Sequence, residues 1–379
     1  MPVLPGATIG FLGGGQLGRM AAMAARSLGY DVQVLDPDPA CPARGVASRT
    51  ITAPFDDARA AAQLAGGCDV VTLEIEQIAP ASLDAVGRDR PLRPGRDAVY
   101  VVQDRARQKN WLRDAGFPVG AYRVAESAAD VAAAVGAFGS SIAKATTGGY
   151  DGRGQVRLAD PAEAEQAWAS LGARRCVVEQ HLEVRQEISV LTARRPGGET
   201  AVFPPALNHH DHGILTWSAL PAPIAPDLTA RAVELGRAVT VALDVVGLLA
   251  VEMFVLDGGT LLVNELAPRP HNTFHTTERA CETSQFEQLV RAVCDLPLGA
   301  TETVRPGAIV NLLGDLWRHG EPPRFARALE VPGIRLHLYG KASARPGRKM
   351  GHLTVTAADA TKAREMALQV ARRLGLAPF

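Results

Sequence analysis

The sequence predicts a chain of mixed α/β and α+β class, a doubly wound N-terminal domain followed by two lobes rich in antiparallel strands. Three observations carry this. A strand, a glycine turn, a helix and a second strand follow one another between Ala7 and Asp36. A glycine-rich loop, Lys144-Ala-Thr-Thr-Gly-Gly-Tyr-Asp-Gly-Arg-Gly-Gln155, joins two strands near the middle. Two apolar runs in the last third, Gly247–Val255 and Thr260–Leu266, turn on each other through Leu256-Asp-Gly-Gly259, and each carries one carboxylate, Glu252 and Glu265.

In the first unit, Ala7–Leu12 reads as a strand, and an Ala/Met-rich helix running to about Leu28 is closed by Gly29. Asp31–Asp36 is the second strand. Gly13-x-Gly15-x-x-Gly18 matches the dinucleotide fingerprint, with Asp36 as the expected acid. A helix N-terminus behind a tight turn serves any phosphorylated ligand, however, so a phosphate-bearing ligand other than NAD is favoured. Pro54–Asp57 starts another helix, and Cys68–Glu74 is a buried strand ending in Glu74-Ile-Glu76. Acids at the C-terminal end of a parallel strand stand where such sheets place ligands, the alternative being a solvated strand end. The alternation of strand and helix closes near residue 95.

Asp104–Leu112 reads as a helix with Arg105 and Lys109 on one face. Ala128–Ala137 and Glu163–Leu171 are further helices, and Cys176–Gln180 is a strand. The glycine-rich loop lies between them, following a strand that ends in Ser140-Ser-Ile-Ala. Its four glycines between Gly148 and Gly154 let backbone N–H groups fold around an anion, with Lys144 at its entry and Arg153 inside it. Tyr150 and Asp151 at its tip exceed what a structural turn needs.

Glu187–Thr192 is a strand followed by a hairpin through Pro196-Gly-Gly198. Asn208-His-His-Asp-His-Gly213 is too loosely spaced for zinc, and it reads as a polar active-site loop. Leu228–Leu243 is an amphipathic helix. Glu252 and Glu265 lie inside apolar strands, where a carboxylate is costly unless paired or bound to a hard cation such as Mg²⁺. Two prolines stiffen Ala267-Pro-Arg-Pro-His-Asn272. A helix at Gln285–Val293, strands at Ala308–Leu313 and Leu353–Thr356, and a helix at Lys362–Leu374 complete the chain. Lys341, Arg345, Arg348 and Lys349 form its densest basic patch, which suits a small anion.

Composition is that of a soluble globular protein: 379 residues, 47% hydrophobic, 21% charged, net charge zero. The neutral balance argues against nucleic acid as a partner. The five scattered cysteines lack zinc-like spacing and read as reduced thiols. No signal peptide and no membrane span are expected, which points to the cytoplasm.

Four segments now stand in one order: Gly14-Gly-Gln-Leu-Gly-Arg-Met20, Gly148–Gln155, Asn264-Glu-Leu-Ala-Pro-Arg269 with His271-Asn272, and Arg345-Pro-Gly-Arg-Lys-Met-Gly-His352. Together they resemble the ATP-grasp superfamily and, within it, the N5-carboxyaminoimidazole ribonucleotide synthetases of purine biosynthesis. The resemblance runs nearly end to end. It implies a Rossmann-like domain over residues 1–100, an ATP-grasp small lobe with a glycine-rich lid over 101–183, and a large lobe with a C-terminal subdomain over 184–379. It implies that ATP lies between two antiparallel sheets, touching Arg105, Lys144, Gly149, Tyr150, Asp151, Gly152, Arg153, Gly154, Gln155, Glu179, Gln180, His181, Leu182, Glu187, His210, Asn264 and Glu265. Mg²⁺, or Mn²⁺, would sit on Glu252 and Glu265. Aminoimidazole ribonucleotide would lie by Gly15, Gln16, Leu17 and Glu74 (or Glu76), with Arg269, His271, Asn272, Lys341 and Arg348 completing its site. Tyr150, Asp151, Arg153 and Lys341 would surround bicarbonate and the reacting amine. The implied reaction phosphorylates bicarbonate with ATP and carboxylates the amine, in a homodimer without nucleic-acid or membrane partners.

Two stretches depart from the family pattern. Ala145-Thr-Thr147 stands where basic residues are common, and Thr273-Phe274 stands where Ser-Gly is common before His275. The second departure is expected to alter the substrate pocket. Other ligases of the superfamily, using formate or biotin, an NAD-dependent dehydrogenase, and a non-catalytic nucleotide-binding protein are the rival readings.

Overall fold

The computed structural model describes residues 1–148 and 154–376. Strands β1 (Thr8–Leu12), β2 (Asp31–Asp36), β3 (Arg49–Thr52) and β4 (Val70–Leu73) form a parallel sheet in the order β3-β2-β1-β4. Helix α1 (Gln16–Ser27) connects β1 to β2, and α2 (Ala58–Gly66) connects β3 to β4. The strand order reverses between β1 and β4, which is where such sheets open a crevice for ligands. Gly13 follows β1 and Glu74 follows β4, so both N-terminal motifs reach that crevice.

Helices α3 (Pro80–Asp89), α4 (Arg96–Val102) and α5 (Arg105–Asp114) lead onward. Asp104 is not the first helical residue, as the sequence suggests, but the N-cap of α5. Its carboxylate accepts from the Arg107 amide at 2.9 Å.

A second sheet contains β5 (Tyr122–Ala125), β6 (Ser141–Ala145), β7 (Gln155–Leu158) and β8 (Cys176–Gln180), antiparallel in the order β5-β8-β6-β7. Helices α6 (Ala128–Phe138) and α7 (Ala164–Ser170) cover one face, around Val131, Val135, Ala143, Leu158 and Val178. Lys144, expected at the loop entry, lies within β6 and pairs with Gln155 and Val177. The period-two pattern explains this: Ser141, Ala143 and Ala145 point into the core, leaving Ile142 and Lys144 on the open face.

The third sheet spans the rest of the chain, ordered β14-β13-β9-β11-β12-β15-β17-β16 with β10 on β9. Its strands are β9 (Gln186–Arg194), β10 (Thr200–Val202), β11 (Ala206–Asp211), β12 (Ile214–Leu220), β13 (Gly247–Val255), β14 (Leu261–Ala267), β15 (Gly307–Leu313), β16 (Arg335–Leu338) and β17 (Lys349–Thr356). Helix α8 (Pro226–Ala242) buries Leu228, Ala232 and Val239 in one core; α9 (Thr277–Ala280), α10 (Gln285–Val293), α11 (Ala326–Leu329) and α12 (Ala360–Arg373) complete the lobe. The histidine-rich stretch is a correction: Asn208–Asp211 lie in strand β11, and only His212 and Gly213 form the turn to β12. A register shift between His209 and His210 breaks the alternation by which the strand would have been read.

The first and third sheets share one core. Met20, Ala21 and Ala25 of α1 pack with Phe286, Leu289 and Val293 of α10. Phe274 joins the same core, fully buried with its ring 6.1 Å from Phe203. That departure from the family pattern therefore points inward and does not reshape the pocket. Among the described residues, no helix is long and apolar enough to cross a membrane.

Candidate active site

A cleft of about 1820 Å³ runs between the three sheets. Its N-terminal wall is the glycine turn, and there the dinucleotide reading fails on geometry. Glu74 accepts from the Gly15 amide at 2.6 Å and from the Gly18 amide at 2.8 Å. Asp36 accepts from the Gly14 amide at 2.7 Å and is buried. The donors that a pyrophosphate would use are thus taken by carboxylates of the chain itself. Burial raises the pKa of both acids, against the lowering effect of those amide bonds. A Cβ on Gly15 would lie 2.4 Å from Glu74 Oε1, so glycine is needed here for the carboxylate to approach. Glu74 lines the cleft, but its oxygens are engaged in holding the turn.

At the opposite end, Lys144 on β6 meets Glu179 on β8, Nζ to Oε2, at 2.9 Å, and Lys109 of α5 stands 3.6 Å from Glu179 Oε1. Burial would raise the Glu179 pKa, but Lys109, Lys144 and Arg105 outweigh it and hold it at about 2. Burial lowers the pKa of Lys109, which is almost wholly enclosed. Arg105 Nη1 donates to Glu265 Oε2 at 2.9 Å, and His210 is hydrogen-bonded to Glu187.

Glu252 and Glu265 are register partners on β13 and β14, and both line the cleft. His271 Nε2 lies 3.1 Å from Glu252 Oε1. Burial pushes the Glu252 pKa up, but the bond and charge of His271, with His210 and Lys349 nearby, hold it at about 2. Arg269 is bound to Glu76 at 2.8 Å, so of the two N-terminal acids it is Glu76 that meets the basic group of the third sheet. Lys341 Nζ donates to Gln16 Oε1 at 2.7 Å and to the Lys349 carbonyl at 2.6 Å. Arg348 Nη1 donates to the Ser343 carbonyl at 2.8 Å. Asn264 Oδ1 and both amide atoms of Asn272 are buried without a protein partner, and both residues line the cleft.

The structure therefore gathers Gly15, Gln16, Leu17, Glu74, Arg105, Lys144, Gln155, Glu187, His210, Glu252, Asn264, Glu265, Arg269, His271, Asn272, Lys341 and Arg348 around one cleft. Glu179 stands behind Lys144, while Gln180, His181 and Leu182 are not among the lining residues. Gly154 is likewise off the lining. Gly149, Tyr150, Asp151, Gly152 and Arg153 lie outside the described residues. Lys109 was visible in the sequence only as a neighbour of Arg105 on one helical face; its burial against Glu179 was not. Gln108 was missed as well: its Oε1 accepts from the Leu266 amide at 3.1 Å and ties α5 to β14.

Lys109→Met is expected to leave Glu179 with Lys144 as its close ion-pair partner and, because one partner remains, to cost about 1–3 kcal/mol of stability at pH 7. A carboxylate whose folded pKa is depressed to about 2 contributes stability that is complete above its unfolded value of about 4.3 and is lost as pH falls through the folded one. In the variant the Glu179 pKa rises toward its unfolded value, so less of this stability exists to be lost, and the difference between parent and variant is largest at pH 7 and shrinks as the pH falls below about 4.3. Urea unfolding at pH 7 and pH 4 measures both effects.

Histidines also cluster away from the cleft. Glu278, His337 and His352 bring ligand atoms within 4.8 Å of one another. The rings of His337 and His352 stack at 4.5 Å with 7° between their planes, so their in-plane lone pairs run parallel and do not converge on one ion. In β11 and its turn, His209 stacks on Trp217, His210 pairs with Glu187, and His212 is exposed.

Family comparisons agree with this geometry. Residues 6–103 match the ribonucleotide synthetase preATP-grasp domain, 110–286 the ATP-grasp domain, and 307–366 the phosphoribosylaminoimidazole carboxylase C-terminal domain. The chain is 42% identical to the N5-carboxyaminoimidazole ribonucleotide synthase of Brucella melitensis, over 92% of this chain and 96% of that one. The Staphylococcus aureus N5-carboxyaminoimidazole synthetase complexed with ADP superposes with a TM-score of 0.91 at 34% identity, covering 98% of each chain. The Aspergillus clavatus N5-carboxyaminoimidazole synthase, in complex with ADP and 5-aminoimidazole ribonucleotide, superposes with a TM-score of 0.89 at 31% identity, covering 97% of this chain and 98% of that one. The chain accordingly belongs to the N5-carboxyaminoimidazole ribonucleotide synthase family, ATP-grasp ligases of purine biosynthesis.

Proposed function

We propose that this chain carboxylates 5-aminoimidazole ribonucleotide to its N5-carboxyamino product, using ATP and bicarbonate through carboxyphosphate. The observation that carries the reading is the single cleft whose ends differ in chemistry. One end has Arg105 and Lys144 beside the Glu252–Glu265 pair; the other has Gln16, Lys341, Arg269, His271 and Asn272. The buried, unpartnered Oδ1 of Asn264 and both amide atoms of Asn272 support ligand contacts at both ends.

Glu252 and Glu265 offer hard oxygen donors on adjacent strands and fit Mg²⁺, or Mn²⁺ with the same ligands. When bound, such an ion supplies neutralisation of charge on the transferring phosphoryl group. Lys144 on β6 and Arg105 at the start of α5 bind and orient the phosphates. At the other end Lys341, fixed by Gln16, and Arg348 hold the ribonucleotide, while Arg269 is kept in place by Glu76. The contacts of Tyr150, Asp151 and Arg153 with bicarbonate and the amine, the contacts of Glu179–Leu182 with ATP, and the division at residues 100 and 183 belong to the same reading by family resemblance. So do a homodimer and a cytoplasmic setting.

Phosphate release tests it. With ATP, bicarbonate and aminoimidazole ribonucleotide present, steady release is expected, and omitting any one should reduce it to background. Release that responds to formate in place of bicarbonate with another ribonucleotide amine as acceptor, or to biotin in place of the ribonucleotide with bicarbonate kept, would point to another ligase of the superfamily. ATP binding without any acceptor-dependent turnover would point to a non-catalytic protein.

A further inference from the structure

The floor of the substrate end is a buried chain of hydroxyls that ends on His271. Ser218 Oγ shares its proton between Asn208 Oδ1 and the Thr273 carbonyl, at 3.0 Å each. Asn208 Nδ2 donates to Ser189 Oγ at 3.1 Å. Ser189 Oγ lies 2.8 Å from Thr273 Oγ1, which lies 2.8 Å from His271 Nδ1. Asn208, Ser189, Ser218 and Thr273 are all buried. The far nitrogen of the ring, Nε2, faces Glu252.

The direction of these bonds follows from the ends. A carboxylate can only accept, so His271 Nε2 carries a proton, and in the singly protonated ring Nδ1 is the acceptor. Thr273 must then donate to Nδ1, which leaves its oxygen to accept from Ser189. Ser189 can donate there because Asn208 supplies its other bond, and Ser218 fixes the Asn208 amide with Nδ2 toward Ser189. From Asn208 to His271 each donor has one acceptor and the polarity is single, while the Ser218 hydroxyl is shared between two.

From this we infer that Thr273 is a positioning residue. Its hydroxyl fixes the ring plane and the tautomer of His271, so that Nε2–H is presented to the cleft beside Glu252. The inference rests on the reading of His271 as a substrate contact. Thr273 stands where serine is common in the family, and the hydroxyl is the shared element. The extra methyl does not disturb the bond to Ser189, and the neighbouring Phe274 anchors the segment by filling the core.

Thr273→Val keeps the shape and removes the hydroxyl. It is expected to raise the KM for aminoimidazole ribonucleotide about tenfold, the scale of one lost hydrogen bond, with the KM for ATP changed by less than about twofold. Thr273→Ser should restore the parent values. A second readout does not need turnover: ¹⁵N spectra of labelled histidine at fixed pH should show His271 as the Nε2–H tautomer in the parent and in Thr273→Ser, and as a mixture in Thr273→Val. If Thr273→Val folds poorly, Ser189→Ala, one bond further back, should give the same changes at smaller amplitude. The inference is overturned if Thr273→Val leaves both the KM and the His271 spectrum unchanged, or if Thr273→Ser is as impaired as Thr273→Val. A parent enzyme without ribonucleotide-dependent phosphate release refutes the proposed function instead, and the spectra still decide the role of Thr273.

Discussion

Glu252→Gln is expected to lower kcat by roughly 10²–10³-fold while leaving the fold intact, the size of losing one preorganised electrostatic contact in a closed site. The amide fills the same space on β13 and can still accept from His271 Nε2, so packing is preserved. What disappears is the negative charge, which the parent keeps at any working pH because His271 holds its pKa at about 2. Glu265→Gln should be comparably damaging, and it also frees Arg105 from its carboxylate partner. If both acids hold one cation, the double variant should be little worse than the poorer single one, because groups acting as a unit are not additive. The check is kcat at several Mg²⁺ concentrations alongside thermal unfolding. Turnover within about threefold of the parent in Glu252→Gln would remove the strand pair from the chemistry.

Gly314→Ala should damage the other end of the cleft. A Cβ on Gly314 would lie 2.1 Å from the carbonyl oxygen of Arg345 and 2.6 Å from its amide nitrogen. Both are backbone atoms, so no rotamer change relieves the clash, and the turn carrying Arg345–Lys349 must shift. That turn is clamped from the same side: the Gly314 amide donates to the Arg348 carbonyl at 2.8 Å, and Asp315 accepts from the Gly347 amide at 2.8 Å. Overpacking of this kind costs about 1–3 kcal/mol. The KM for the ribonucleotide is expected to rise by about tenfold or more, since a displacement of about 1 Å in a positioning element has effects of that order or larger. The KM for ATP should stay near the parent value. An unchanged ribonucleotide KM would mean that the basic turn does not grip the substrate.

Gly314 illustrates what the sequence withholds. A glycine after an apolar strand reads as an ordinary strand end, and only the approach of a turn from thirty residues away gives it a task. Residues whose place in the fold follows from local pattern were legible: the βαβ unit from Thr8 to Asp36, the strand-borne Glu252 and Glu265, and the Arg269–Asn272 segment that follows them. The histidine strand β11 was not, because its bulge hides the alternation. The glycine fingerprint was legible as a turn but not as one already filled by Asp36 and Glu74, since that depends on which carboxylates two neighbouring strands bring to it. Lys109 and Thr273 belong to the same class. Their partners, Glu179, Ser189 and His271, come from other elements.

The core that joins α1 to α10 has a consequence for biogenesis. As the polypeptide leaves the ribosome, the first sheet is complete long before Phe286, Leu289 and Val293 have been made. Until then Met20 and its neighbours on α1 present bare apolar surface, an invitation to trapping or self-association. The opening domain of this enzyme therefore cannot finish folding ahead of the rest. It must wait for a stretch of chain synthesised after the whole ATP-grasp hairpin, and a nascent fragment stalled before that point should be a client for chaperones.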